Sequence, residues 1–520
     1  MHRSLHRSYA VAALSAYFLY RLWAIPADVA VTGAFSHDSS YLSIVAHNIA
    51  SGQGFVNQAH LLLFLQPEHL PMPYHNANPL YPALSAFVSQ LSGWDAAKSG
   101  AIVSLCGHIV LAIATYFLVT AFVARPLTGW LAAAGVMFFP ANFRESFAVL
   151  PDALATGLGL SVCAVVVRAR HPAHWAGAGV LFGLAWLTRS TALLALPAVG
   201  VFAICRHGWR NPLRPTRWLA LFGVTVLVTI SPWLIHTAGA WGTPFRSDST
   251  FYWLQEYYAH RNNIEINQYW RSLTKPPSVA QVLSQDPSGL ASRAIQGIPH
   301  AAWHWLAQLA DWSKTWLAAF AFSVVLGAWW LRHSYRGRWP ELLAAMLLAA
   351  LTFFSLTVRA ETLEARYLGL SNVLLALLAF AACHARPRWL ATPAFVFWLL
   401  LVPQHNWLAA GQLRAERPDL VVYRQGARAL AQSHPAGPVV TPLPYLYTYY
   451  TGQPAISPPY PGKSELLTIM RKYGAGVVWA PPNPEYSLQY LYPGAPASLS
   501  PEFSTVSSAG VTFMQLQSTP

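Results

Sequence analysis

Two acids and their neighbours are the residues best suited to chemistry. The first lies in His37-Asp38-Ser39-Ser40-Tyr41-Leu42-Ser43-Ile44-Val45-Ala46-His47-Asn48-Ile49-Ala50-Ser51-Gly52-Gln53-Gly54-Phe55. A carboxylate such as Asp38, just beyond an apolar run, can act as a general base that takes the proton of an acceptor hydroxyl. Apolar surroundings would help set its pKa. Asp is also a favoured helix N-cap, and the apolar pattern predicts a surface helix over 39–51 that ends at Gly52; the two roles are compatible. The second acid is Asp152, preceded by Arg144 and Glu145 and followed by an apolar run. An ionisable group at the edge of a membrane span is a candidate for function. A helix N-terminus also favours Asp through its dipole.

The elements that must hold these residues follow from composition. The chain has 520 residues, 54% hydrophobic and 10% charged, where a soluble globular chain carries about 25% charged residues. This excludes an ordinary soluble enzyme, and equally a disordered or collagen-like chain. The 22 Trp and 23 Tyr are residue types that favour membrane–water interfaces. Apolar runs near 9–27, 100–123, 127–141, 152–168, 174–190, 191–205, 217–236, 315–331, 342–358, 366–383 and 389–408 give about eleven spans at ~20 residues each. The first is read as a retained span, because no small-x-small cleavage site precedes Asp28.

The net charge of +14 raises the question of nucleic acid, and its distribution answers it. Six short segments between the runs hold 14 Arg and no Asp or Glu, among them 206–217 and 332–338. That is the positive-inside signal, with a cytoplasmic N-terminus, and no nucleic-acid partner is expected. Three long segments then fall outside: 28–99, 237–314 and 409–520. The last contains β-rich pieces at 438–441, 476–479 and 511–514 and helix-like stretches at 421–433 and 464–473. The expected fold is an all-α polytopic membrane module over 1–408, followed by a small α/β extracytoplasmic domain over 409–520. Four cysteines sit in or beside apolar runs without metal-site spacing.

The first acidic stretch resembles the first outer loop of the GT-C membrane glycosyltransferases. It is most similar to the family 39 branch of protein O-mannosyltransferases and lipid A aminoarabinose transferases. Asp38, Tyr41, Leu42, Ala46, Asn48, Gly52, Gly54 and Phe55 match that family's pattern, and His37 stands where an acid is common. Further likenesses follow in order: Asn78-Pro79-Leu80-Tyr81-Pro82, Leu150-Pro151-Asp152, Gly183 to Ser190, Pro232-Trp233 with His236 in place of Arg, Arg366-Tyr367, and Tyr447 to Ala455.

The resemblance implies a polyprenyl-phosphate sugar donor, a lipid, glycan or protein acceptor, and inverting transfer at the outer face of a bacterial inner membrane. Asp38 would be the base and Asp152 an assistant or cation holder. Arg189 and Arg366, in short outer turns, would bind the phosphate through their planar forks. The alternative for both is headgroup contact or an ion pair, as between Arg366 and Glu364. Tyr41, His75 and Asn78 would contact substrate, the last two through sugar hydroxyls unless they merely satisfy loop backbone. No metal cluster is evident, although Asp38 with His37 leaves room for a divalent cation. The reading from another class is a lipid or polysaccharide transporter, or a non-catalytic envelope assembly protein.

Overall fold

A computed structural model describes residues 2–60, 69–74, 79–122, 126–138, 140–207, 213–244, 407–408, 410–433, 435, 437–458, 463–479, 503–508 and 511–516, with short pieces between 284 and 299. The expected spans at 315–331, 342–358 and 366–383, all but the last two residues of 389–408, and most of the segment 237–314 lie outside the described residues, as do His75, Asn78 and Arg366.

Helix α1 (His2–Trp23) leads through a 3-10 turn (Val29–Val31) to α2 (His37–Ala50). Short strands β1 (Val56–Asn57), β2 (Ala59–His60) and β3 (Met72–Pro73) precede α3 (Leu80–Ser92). The helical layer continues with α4 (Ala96–Phe122), α5 (Pro126–Met137), α6 (Pro140–Glu145), α7 (Asp152–Arg168), α8 (Pro172–Thr188), α9 (Ala195–His207) and α10 (Leu213–Trp241).

Two of the described helices, Ala96–Ala121 and Thr216–Trp241, are long and apolar enough to cross a membrane. On α10, Val224, Leu227, Val228 and Ile235 are 57–72% exposed; such a stripe is unfavourable in water and unremarkable against lipid. The run expected to span at 127–141 is instead broken at Pro140 into α5 and α6. The 12 residues of α5 reach about 18 Å at 1.5 Å per residue, short of a ~30 Å hydrocarbon core. Helix α3 was hidden in the sequence inside a loop.

Close helix packing rests on two glycines. A Cβ on Gly107 would lie 2.4 Å from the Leu154 backbone nitrogen, and one on Gly157 would lie 2.7 Å from the Gly107 carbonyl oxygen. Backbone meets backbone there, so α7 seats directly on α4, which sets the height of Asp152 at its N-terminus.

The C-terminal stretch forms α11 (Pro418–Gln432), β4 (Val439–Val440), α12 (Pro444–Thr451), β5 (Ala455–Ile456), α13 (Lys463–Tyr473), β6 (Val477–Val478), β7 (Phe503–Ser508) and β8 (Val511–Leu516). Alternation decides its layers. Val439, Ala455 and Val477 pack with Leu420, Tyr423 and Leu430 of α11; Val440, Ile456 and Val478 pack with Leu466, Ile469 and Met470 of α13.

The sheet order is β2-β5-β4-β6-β8-β7. Its edge strand β2 comes from the segment 28–99 and runs parallel to β5, with His60 opposite Ile456. The boundary expected at residue 409 therefore does not separate two independent sheets of chain. Arg424 pairs with Asp28, and the Tyr450 hydroxyl donates to the Ala30 carbonyl at 2.7 Å, tying the same two segments again.

Candidate active site

Asp38 sits in the first turn of α2 and is exposed. The cap expected of it belongs to Ser36, whose Oγ accepts the Ser39 N–H at 3.2 Å. The helix starts two residues earlier than the apolar pattern indicated, which moves Asp38 inside the first turn. There a carboxylate still gains from the dipole while its side chain stays outside the cap hydrogen bond. The helix does not lie on the surface: nine of its 14 residues, from Ser39 to Asn48, are buried. It is held between α3, α4 and the C-terminal α12.

The Asn and Gly positions of the stretch are structural. Asn48 Nδ2 donates to the Val56 carbonyl at 2.9 Å. Gly52 and Gly54 adopt φ of 82° and 80°, the left-handed region where a side chain is strained. These turns fold the chain back so that the Phe55 ring lies 5.5 Å from Trp233 and 5.8 Å from His236, centroid to centroid.

Phe55, Trp233 and His236 belong to an aromatic wall beneath α2. Tyr41 lies 5.5 Å from Tyr74, and Tyr74 lies 5.9 Å from Trp233. At the other end Tyr445 of α12 meets Tyr41 at 4.8 Å and His37 at 4.7 Å. Sequence reasoning placed no site residue after 409, so Tyr445 was missed. Its signal was the tyrosine-dense run Tyr445 to Tyr450, in which Tyr445 meets α2, Tyr447 donates to Gln453, Tyr449 to Asp95 and Tyr450 to the Ala30 carbonyl. Tyr41, placed at the site from the sequence, is a buried member of this wall.

Burial pushes the His37 imidazole down to about 4, against the opposing pull of Asp38. Burial therefore favours the neutral imidazole at pH 7. Between 6.5 and about 4 the unfolded chain binds a proton that the folded chain refuses. The stabilisation is complete above 6.5 and is lost as pH falls through that window. His37→Phe is expected to flatten the decline in melting temperature between pH 6.5 and pH 4; an unchanged acid limb would contradict the assignment.

Asp152 and Arg189 come together. Arg189 Nη1 donates to Asp152 Oδ1 at 2.5 Å, with side chains 16% and 3% exposed. Of the two alternatives for Arg189, the ion pair is the one observed. Asp152 opens α7 and Arg189 follows the last residue of α8, so each charge lies at the helix end whose dipole favours it. The turn before Asp152 is fixed by Ser104 Oγ, which donates to the Leu150 carbonyl at 2.9 Å and lies 2.9 Å from the Tyr81 hydroxyl.

The helices that carry Asp38 and Asp152 contribute to one apolar cluster that contains Tyr41, Tyr74, Tyr81, Leu150, Leu154, Trp233 and Tyr445. Among the described residues, no three His, Cys, Asp or Glu side chains gather as metal ligands. The arrangement offers an exposed carboxylate, an aromatic wall and a buried charge pair.

Residues 75–236 match the family described as dolichyl-phosphate-mannose-protein mannosyltransferase. No curated protein matches the chain. Among solved structures the chain is similar to ArnT from Cupriavidus metallidurans bound to undecaprenyl phosphate, at 14% identity over 97% of each chain with a TM-score of 0.56. It is also similar to the oligosaccharyltransferase AglB from Archaeoglobus fulgidus, in complex with an inhibitory peptide and a dolichol-phosphate. There the identity is 11% over 91% of this chain and 69% of the other, with a TM-score of 0.57. At these identities the likeness is one of fold, and it runs across the helical layer and the C-terminal sheet alike.

Proposed function

We propose that this chain, whose fold is that of the GT-C membrane glycosyltransferases, moves a sugar from a polyprenyl-phosphate carrier to an acceptor hydroxyl outside the membrane. The observation that carries the reading is the exposed Asp38 at the start of a buried helix, in a fold shared end to end with a protein bound to undecaprenyl phosphate.

The acceptor oxygen attacks the anomeric carbon while its proton passes to Asp38. The bond from the anomeric carbon to the phosphate oxygen breaks, and its electron pair leaves with the lipid phosphate. Attack opposite the leaving group inverts the anomeric configuration. Arg189, oriented by Asp152, and Arg366 bind the phosphate as its charge grows. With the leaving group so paired, no separate general acid is required. Tyr74, Trp233 and Tyr445 cluster with Tyr41 and so hold α2 in place, and His75 and Asn78 are assigned to sugar hydroxyls.

The test is purified protein in lipid with polyprenyl-phosphate sugars and hydroxyl acceptors. Transfer with release of polyprenyl phosphate is expected, and the product anomer read by NMR reports inversion. Absence of turnover with every lipid-linked sugar offered would defeat the reading.

The charge pattern also sets an orientation: residue 4 and the segments 206–217 and 332–338 inside, residue 450 outside. Cysteine-accessibility labelling in intact cells checks it, and a residue 450 that labels only after lysis would reverse the arrangement.

A further inference from the structure

Asp38 lies in the first turn of α2, and helix ends fray. A carboxylate that must meet an acceptor hydroxyl within hydrogen-bond reach needs that turn held. The helix's own ties there hold backbone: Ser36 Oγ accepts the Ser39 N–H at 3.2 Å, and Ser40 Oγ donates to the His37 carbonyl at 2.6 Å.

The side chains of the turn are held from outside the helix. His37 and Tyr41 stand four residues apart, so they share one side of α2. Tyr445 reaches both, with ring centroids 4.7 Å from His37 and 4.8 Å from Tyr41 and interplanar angles of 38° and 49°. Those are contact separations for ring pairs. Tyr41 and Tyr445 are buried. His37 Nε2 is buried with no hydrogen-bond partner among the described residues, so ring packing sets the place of that end of the imidazole. One tyrosine ring thus spans the first turn, and Asp38, next to His37, stays exposed.

The C-terminal unit presents this ring. Tyr445 is the second residue of α12, which follows β4 of the sheet. Just before the helix, the Tyr423 hydroxyl of α11 donates to the Leu443 carbonyl at 3.0 Å. Within it, Tyr450 donates to the Ala30 carbonyl at 2.7 Å. The helix stops at Gly452, whose φ is 71°. Tyr445 is therefore fixed by the sheet on one side and by the segment 28–99 on the other.

We propose that Tyr445 is a positioning residue whose ring clamps His37 and Tyr41 and so aims Asp38, which makes the C-terminal unit part of the transfer machinery. This inference rests on the reading of Asp38 as the base.

Two readouts on the full chain in lipid test it. The first needs no turnover: diethyl pyrocarbonate modifies accessible neutral imidazoles, and peptide mass spectrometry reads the rate at His37. The second is kcat and KM with a polyprenyl-phosphate sugar. Tyr445→Leu keeps an apolar side chain and loses the ring. It should speed labelling of His37 and lower kcat about 10²-fold, the cost of a group displaced by ~1 Å, with KM near the parent's. Tyr445→Met, more adaptable in a gap, takes its place where the Leu variant does not fold. Tyr445→Phe keeps the ring and should restore both readouts. Tyr447→Phe removes a hydrogen bond to Gln453 in the same helix; it should lower the melting temperature and leave kcat in place. Unchanged His37 labelling in Tyr445→Leu would overturn the clamp. A Tyr445→Phe protein as impaired as Tyr445→Leu would overturn it too, by assigning the effect to the hydroxyl. Faster labelling with a parental kcat would overturn the positioning role. Absence of turnover in the parent defeats the transferase reading and the aiming of a base with it; the labelling arm tells that failure apart from failure of the clamp.

Discussion

An Asp38→Asn protein is expected to insert and fold like the parent and to lose most of the proposed transfer activity. Loss of a general base costs about 10²–10⁴-fold, or roughly 3–5 kcal/mol of barrier. The structure makes this a clean experiment. The cap of α2 is the Ser36 oxygen, so the substitution removes a carboxylate and leaves the cap in place. The charge it removes from the first turn is worth about 0.3–1 kcal/mol through the helix dipole, small beside the burial of nine residues of the helix. Ser36→Ala is the matching control. It should cost about 1 kcal/mol of stability and keep the turnover of whatever folds. Melting temperatures and initial rates measured on both variants separate the two roles. Near-parental transfer by Asp38→Asn would reduce Asp38 to a residue that serves its helix dipole.

The second large effect belongs to the charge pair. Removing one partner of a buried ion pair strands the other, at about 3–5 kcal/mol. Asp152 is 3% and Arg189 16% exposed, so Asp152→Ala and Arg189→Ala should each destabilise on that scale. The double substitution should cost less than the two added together, since neither charge is then left alone; coupling of about 0.5–3 kcal/mol is usual for residues in contact. Stability alone does not test the phosphate role. For that, binding of a polyprenyl phosphate is measured on Arg189→Lys and Arg189→Ala protein that still folds. Lys keeps the charge without the fork and should weaken binding less than Ala. Affinity unchanged in folded Arg189→Ala would leave the pair as a brace between α7 and α8 and remove Arg189 from the leaving-group site.

Much of this was readable one-dimensionally because local chemistry carried it. The helix over 152–168 starts and stops where its acid, its apolar run and its terminal Arg indicate. In the C-terminal stretch, α11, α13, β4, β6 and β8 lie within a few residues of the apolar patterns that marked them. Those elements are bounded by features each segment carries in itself, such as Gly474, which follows α13 at a φ of 67°. The motif-bearing first loop was legible as a motif but not as a set of roles. Asn48, Gly52 and Gly54 are spent on returning Phe55 to Trp233, and the cap passed to Ser36.

The sequence by itself determined that the chain is built of apolar helices with its positive charge gathered in short segments, and that acids occur in the longer segments between apolar runs. Charge and apolar periodicity are properties of a segment, and transfer from water acts on each segment separately. Only the tertiary structure decided that Asp152 and Arg189, 37 positions apart, share one ion pair, and that Ala59–His60 completes a sheet otherwise drawn from residues 439–516. It also brought Tyr445 over His37. Each of these is a pairing across long loops, where any one of several partners of the same type would satisfy the local chemistry. What selects among them is backbone approach, as between Gly107 and Leu154, together with the burial of both faces of a sheet. Those quantities exist only once the chain has closed on itself.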